Sequence, residues 1–314
     1  MSWNTISPKV NIPLQAWEDI RQYSVSYRSS EQTRYRTTLD DIRYDFALSA
    51  AVTADGMLAL EFLKYNLTLN NQPFYAIPDQ VAVAMQAAIY PYVIMIGDEA
   101  GHMNGIGNFT DIRKAWDKEK AAISAVCNGN ADVMHVVERM EPYLAGEDVF
   151  YATVKKDILF QSFFLPLYSK SFYVDGLHTA IGLELHNDIL GAYRIDGKLT
   201  VASVDEDACT LRINAEKRLQ HPEDIAAVRK ALAHHYDLNL VQDIYPVIKI
   251  AIEQQVNRAT GRIDRCHAVF EIEAGAYLSQ KEELSIDYLG SIAPEAGEER
   301  YKTAYLKQNK DIIF

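Results

Sequence analysis

Two short stretches combine carboxylates with imidazoles, the side chains that acid–base catalysis and metal binding require. Asp98 and Glu99 precede His102 within five residues, a grouping suited to a hard metal ion or to proton transfer. His178, Glu184 and His186 have even spacing, and would share one face of a strand and offer two imidazoles and a carboxylate to zinc or iron. The alternative for the first set is a solvated turn, and the alternative for the second set is the solvent-facing polar side of a strand. Both sets are kept as metal-site candidates, while no catalytic residue and no cofactor is predicted.

A glycine-rich stretch around His102 leads into a predicted helix. Gly101, Gly105 and Gly107 precede Asn108, and the free amides of a helix N-terminus can bind an anion. The stretch has neither the Lys-Ser/Thr ending of a P-loop nor the GxGxxG spacing of a dinucleotide fold. We interpret the glycines as turn residues before a helix cap, with phosphate binding as the alternative. The sequence has no GxSxG segment, so no nucleophile elbow is predicted.

The charge balance excludes one class of partner. The 314 residues include 31 Lys and Arg against 43 Asp and Glu, which gives a formal net charge of −12. Such an excess of carboxylates repels a phosphate backbone, so nucleic-acid binding is not expected. No run of about 18 apolar residues predicts a membrane-spanning helix, and the first residues lack a secretory signal pattern.

The cysteines indicate a reducing compartment. Cys127, Cys209 and Cys266 are odd in number and have no CxxC spacing, so neither a zinc knuckle nor a disulfide framework is predicted. Together with the chain's beginning, this predicts a cytoplasmic protein.

Alternation of apolar and polar residues predicts most of the strands. Residues 42–48 alternate, and Asp55-Gly56 predicts a type I′ hairpin turn into a strand over 57–69. In that second strand the apolar positions change parity between Phe62 and Leu63, which predicts a β-bulge. Asp196-Gly197 predicts another hairpin turn. Further strands are predicted over 92–96, 177–187, 192–195, 198–204, 210–213, 247–252, 266–273 and 284–288.

Helical signals lie between these strands. Helices are predicted from Pro78 to about 89, over 109–127 with Asn108 as N-cap, over 131–144, and from Pro222 to about 235. An apolar and aromatic segment follows over 148–165. Residues 1–40 are polar with no sustained period, which is typical of an irregular arm.

One internal echo suggests a duplication. Ile89-Tyr90-Pro91 and Ile244-Tyr245-Pro246 each follow a helix start, and each helix start follows strands with an Asp-Gly pair. We interpret the chain as an α+β protein of two structurally related halves, each an antiparallel curved sheet with packed helices. The predicted division is an N-terminal arm over 1–40, halves over 41–168 and 169–290, and a charged tail over 291–314. Coincidence is the alternative, because the echo is only three residues long.

An aromatic stretch gives the leading functional hypothesis. Aromatic side chains pack cores, and exposed ones anchor partners and ligands. The candidate binding residues are Phe160, Phe163, Phe164, Tyr168, Phe172 and Tyr173. The predicted function is a non-catalytic, acidic intracellular binding or adaptor protein that holds a protein partner or an apolar small molecule. The alternatives are a metal-dependent hydrolase that uses one of the two carboxylate–imidazole sets, and a homo-oligomer or subunit of a larger assembly.

Overall fold

Most of the chain is described by a computed structural model, over residues 9–33, 36–70, 72, 81, 89–127, 130–174, 178–187, 191–236, 244–275 and 277–293. The strands in this part of the chain are β1 Lys9–Asn11, β2 Ile20–Thr33, β3 Thr37–Val52, β4 Leu58–Leu69, β5 Tyr92–Ile96, β6 Met103–Ile106, β7 Ser171–Tyr173, β8 Thr179–Asn187, β9 Gly191–Val204, β10 Ala208–Arg218, β11 Val247–Asn257, β12 Ile263–Ala274 and β13 Leu278–Ile292. The helices are α1 Phe109–Val126, α2 Ala131–Met140, α3 Glu147–Lys156, α4 Ile158–Phe163 and α5 Pro222–Tyr236, and a short 3-10 helix spans Glu141–Leu144.

Eleven of these strands form one antiparallel sheet in the order β6-β5-β4-β3-β2-β13-β12-β11-β10-β9-β8, while β1 pairs with β7. The fold is therefore mostly β, and the prediction of a balanced α+β protein with two related halves is wrong. Period-two alternation identifies a strand but not its neighbours in a sheet. The strand β2 lies in residues 1–40, which were predicted to form an irregular arm. It was missed because the first of its three buried positions is the charged Arg21, so that only Tyr23 and Val25 show the apolar period.

The chain divides into two compact units, each made of three segments. The first unit comprises Met1–Leu14, Tyr27–Asp40 and Lys155–Ile286, and the second comprises Gln15–Ser26, Asp41–Val154 and Asp287–Phe314. The boundaries predicted near residues 40, 168 and 290 are not tested by this division and stay a prediction.

A row of stacked aromatic rings crosses four strands of the second unit. Tyr23 of β2, Phe46 of β3, Phe62 of β4 and Tyr92 of β5 are all buried. Consecutive ring centroids lie 4.7, 4.9 and 5.3 Å apart. Phe150 of α3 meets Tyr92 edge-on at 5.9 Å, so this helix packs against the end of the row. Cross-strand pairs of this kind stabilise neighbouring strands.

The first unit buries one face of its strands. Ile181, Leu183 and Leu185 of β8 are buried, as the alternation predicts, and the same pattern continues through β10, β11 and β12. The helix α4 packs against β12, and five of its six residues are buried.

The two Asp-Gly pairs have different roles. Asp55-Gly56 does join β3 to β4, but only Gly56 has a positive φ, +83°, and its amide donates to the Thr53 carbonyl at 2.9 Å. Such a turn, with a left-handed glycine after it, is a type I turn with a bulge and not type I′. Asp196-Gly197 lies inside β9 and forms no hairpin. A Cβ on Gly197 would lie 3.3 Å from the side chains of Ile181 and Ile213, so this glycine serves close packing.

The repeated Ile-Tyr-Pro segment does not mark two related halves. Residues 92–96, after the first Ile-Tyr-Pro, form β5 next to the end of the sheet, whereas β11 lies between β10 and β12. The second copy also lacks the Asp-Gly hairpin on which the parallel depended. The interpretation as a duplication is therefore wrong.

Other local predictions were shifted rather than lost. The irregularity in β4 lies opposite residues 43–45 and not at Phe62, with Asn66 at a φ of +55°. The helix predicted over 131–144 ends at Met140, where Pro142 enters the 3-10 helix. The segment 148–165 forms α3 and α4, because Asp157 caps a new helix by accepting a bond from the Leu159 amide. Most of the helix predicted from Pro78, and the tail beyond residue 293, lie outside the described residues.

Candidate functional site

A cleft with a volume of about 460 Å³ lies in the second unit, over one face of β4, β5 and β6. The hairpin between β3 and β4 and the first turns of α1 and α3 complete its walls. The apolar lining residues are Met57, Ala59, Val93, Met95, Ile106 and Phe109, and the others are Thr53, Asn104, Gly105, Gly107, Thr110 and Glu147. The volume falls within the range of about 300–1,000 Å³ that is typical of small-molecule sites.

Sheet register places the floor of the cleft. Ala59 lies opposite Met95, and Met95 lies opposite Gly105, so these residues share one face of three adjacent strands. The other face of the same strands carries Phe62 and Tyr92 of the aromatic row. The strands are therefore packed on one side and leave Met95 and Val93 half-buried on the cleft side.

Two glycines shape the wall beside Met95. Gly105 has a φ of +154°, a conformation that favours glycine. A Cβ on Gly107 would lie 2.8 Å from the Met95 sulfur, so a larger residue there would displace the methionine.

The side chain of Asn108 anchors α1 to the cleft floor. Asn108 occupies the N-cap position, as predicted, but its side chain forms no capping bond within the helix. Its Oδ1 instead accepts a hydrogen bond from the Val93 amide at 2.8 Å, and its Nδ2 donates to the Pro91 carbonyl at 3.0 Å. The helix start, and with it Phe109 and Thr110, is thereby fixed to β5.

Contacts of α3 place Glu147 at the cleft. The Tyr151 hydroxyl donates a 2.5 Å hydrogen bond to the Met103 carbonyl of β6. Glu147 precedes Tyr151 by four residues and shares its helix face. A carboxylate oxygen of Glu147 lies 3.9 Å from the position that a Cβ on Gly105 would occupy. Among the described residues that line the cleft, Glu147 alone is ionisable. No hydrogen bond or ion pair joins its carboxylate to another residue in this part of the chain.

The first predicted metal set is a pair rather than a cluster. The His102 ring lies 2.5 Å from Asp98, and the His102 amide donates to the same carboxylate at 3.1 Å. Burial opposes ionisation of Asp98, but these bonds outweigh it and hold the pKa of the carboxyl below its usual value. Both side chains are about half exposed. Glu99 is exposed and joins neither residue through a hydrogen bond, so the arrangement describes a solvated turn closed by the Asp98–His102 hydrogen bond.

The second predicted metal set is also incomplete. Glu184 and His186 share a face of β8, with the His186 Nε2 3.6 Å from the Glu184 carboxylate. Lys155 binds Glu184 at 2.8 Å and is the main cause of the lowered pKa of that carboxyl. His178 precedes the strand. Across the described residues, no three His, Cys, Asp or Glu side chains are grouped closely enough to hold a metal ion.

The predicted aromatic binding residues are buried to different degrees. Phe160, Phe163 and Phe172 are buried in the first unit, where they pack. Phe164 and Tyr168 are half-buried, and Tyr173 is 38% exposed. A partner-binding role for these residues stays a prediction, as does a cytoplasmic location.

Sequence reasoning did not find the cleft. The glycine stretch at 101–108 was the available signal, since two of its glycines line the wall. The remaining lining residues come from segments between Thr53 and Glu147, and nothing in their spacing indicates a shared site.

Comparisons with known proteins give little guidance. No protein family model and no curated protein matches the chain. A solved structure titled "Lipid-protein interactions in lipovitellin" is similar over 88% of this chain and 25% of that one, with 8% identity and a TM-score of 0.44. The chain thus spans a quarter of that protein's chain, and a likeness of this degree carries no functional argument. Within the part of the chain that the structure describes, no helix is long and apolar enough to cross a membrane.

Proposed function

We propose that this protein is a non-catalytic binding protein that holds a small molecule with an apolar body in the cleft over β4, β5 and β6. The observation that supports the proposal is the cleft itself, in which the half-buried Val93 and Met95 lie on a floor formed by three hydrogen-bonded strands. When a ligand covers apolar side chains that were in contact with water, the free energy of binding becomes more favourable by about 25 cal/mol per Å² of apolar surface removed from water.

The chemistry of the floor suits a ligand of variable shape. Met57 and Met95 contribute flexible, polarisable thioethers, which adapt to irregular apolar surfaces. Thr53, Asn104 and Thr110 supply hydrogen-bonding groups around this floor. A few polar groups around an apolar floor fix the orientation of a small ligand. The hydrolase and assembly alternatives drawn from the sequence remain predictions.

A neutral fluorescent probe, N-phenyl-1-naphthylamine, tests the proposal. We expect saturable binding to the wild-type protein and displacement by decan-1-ol. Ala59→Leu places a larger side chain on the cleft floor and is expected to weaken probe binding by about tenfold, as expected when about 1.4 kcal/mol of contact is lost.

Ala251→Leu is the matched control, because Ala251 is an exposed strand residue of the first unit and does not line the cleft. Thermal melts of both variants show whether they remain folded. Unsaturable binding to the wild type, or equal binding by a folded Ala59→Leu variant, would overturn the proposal.

A further inference from the structure

The charge at the cleft is one-sided. Glu147 contributes a carboxylate, and no Lys, Arg or His is among the described residues that line the cleft. The positive N-terminal ends of α1 and α3 also lie there, which would favour an anion if they were uncompensated. Each helix, however, carries acids in its first turn, Asp111 in α1 and both Glu147 and Asp148 in α3. A full negative charge outweighs the roughly half charge of a helix end.

The Glu147 carboxylate has no partner among the described residues. Tyr151 joins the same helix face to β6, and a carboxylate oxygen of Glu147 lies 3.9 Å from the position that a Cβ on Gly105 would occupy. Its oxygens accept no hydrogen bond from the described residues. A ligand that donates hydrogen bonds and carries positive charge would form a charge-assisted hydrogen bond with this carboxylate in place of water.

We infer that the cleft selects amphipathic amines, with the protonated nitrogen at Glu147 and the apolar body along Met57, Val93 and Met95. This inference rests on the proposed function. A primary amine with a pKa near that of lysine, about 10.4, is protonated at neutral pH. Glu147 is exposed, so the gain is moderate and is weakened by salt.

Three ligands with the same apolar body test the inference: decan-1-ol, decylamine and decanoate, each titrated calorimetrically at pH 7 in low salt. We expect the wild-type protein to bind decylamine about three- to fivefold more tightly than decan-1-ol, and decanoate more weakly than decan-1-ol. Glu147→Gln should bring decylamine to the affinity of decan-1-ol and leave decan-1-ol unchanged.

Asp148→Asn is the matched control. It removes one negative charge from the same first turn, at an exposed residue that does not line the cleft. This variant should keep most of the preference for decylamine, which separates contact with Glu147 from general attraction to an acidic protein.

The outcomes separate the two proposals. If decan-1-ol binds but decylamine binds no more tightly, or if Glu147→Gln retains the preference, the inference about amines is overturned and the binding function stands. A preference for decanoate would overturn it in favour of the helix N-termini. If decan-1-ol does not bind saturably, the proposed function fails, and this inference fails with it.

Discussion

The side-chain amide of Gln254 donates a 2.5 Å hydrogen bond to the main-chain carbonyl of Ser162, although 92 residues separate them in the sequence. Gln254 lies on β11 with only 2% of its surface exposed, and Ser162 lies in the last turn of α4. The last carbonyls of a helix have no partner within it. The strand therefore supplies a donor that α4 needs where it ends in the core.

Gln254→Leu should destabilise the protein by about 1–3 kcal/mol, because the buried Ser162 carbonyl would keep only the Cys266 thiol, a weak donor at 3.8 Å. Urea denaturation followed by circular dichroism measures the change. Gln255→Leu provides the control, since the next residue along β11 is only half-buried, and its effect should stay within about 0.5 kcal/mol. Equal changes in the free energy of unfolding for the two substitutions would show that the Gln254 hydrogen bond does not stabilise the protein.

Acid should weaken a contact between α1 and the 3-10 helix. Hydrogen bonds from Lys120, Trp116 and Arg113 lower the pKa of Glu141 from its ordinary 4.5 to about 2. A carboxylate with a lowered pKa stabilises the folded protein above its unfolded pKa, and this contribution is lost as the pH falls toward the folded pKa. Glu141→Gln should therefore lower the urea midpoint clearly at pH 7 and much less at pH 3.

Comparison at each pH with Glu138→Gln controls for general effects of acid. Glu138 is exposed on α2, and no hydrogen bond or ion pair to the described residues is seen for it. Its substitution should change the midpoint little at either pH. A Glu141→Gln effect that is the same at pH 7 and pH 3 would contradict the assignment.

The two asparagines at helix starts should differ in their sensitivity to the same substitution. Asn130 caps α2 only by accepting bonds from the amides of Asp132 and Val133, and Asp can do the same. Asn108 also donates to the Pro91 carbonyl, which a carboxylate cannot do. Asn108→Asp should cost about 1–3 kcal/mol, whereas Asn130→Asp should be neutral within about 0.5 kcal/mol. Thermal melts at pH 7 compare them directly, and equal melting temperatures would count against the bridging role of Asn108.

The sequence predicts strands well where one face is apolar. The positions of Ile181, Leu183 and Leu185 in β8 show this, because alternation reports the environment of each residue separately. Strand order depends on partners far apart in the chain, and no local pattern shows that β2 lies beside β13. Asp196-Gly197 failed as a turn signal for a related reason. Gly197 is required by close packing against the side chains of Ile181 and Ile213 on neighbouring strands, and not by a turn.

The candidate site was less predictable than the fold. Each carboxylate–imidazole set lies close in sequence, and the structure gives those residues local contacts, as in the hydrogen bond between Asp98 and His102. The cleft instead combines Met57, Met95 and Glu147, which only sheet register and the packing of α3 bring together. A site of this kind has no signature in residue spacing.

The adjacency of β2 and β13 bears on how the chain folds. These neighbours in the sheet are separated by more than 240 residues of sequence. Closing so long a loop is slow, because the entropy of the connecting chain is lost before the pairing contacts form. Until β13 has been synthesised, the edge of β2 that pairs with it has no hydrogen-bonding partner strand. Unpaired strand edges of this kind promote aggregation. A chaperone or fast synthesis of the last strand would therefore affect the yield of folded protein more than the stability of the finished sheet.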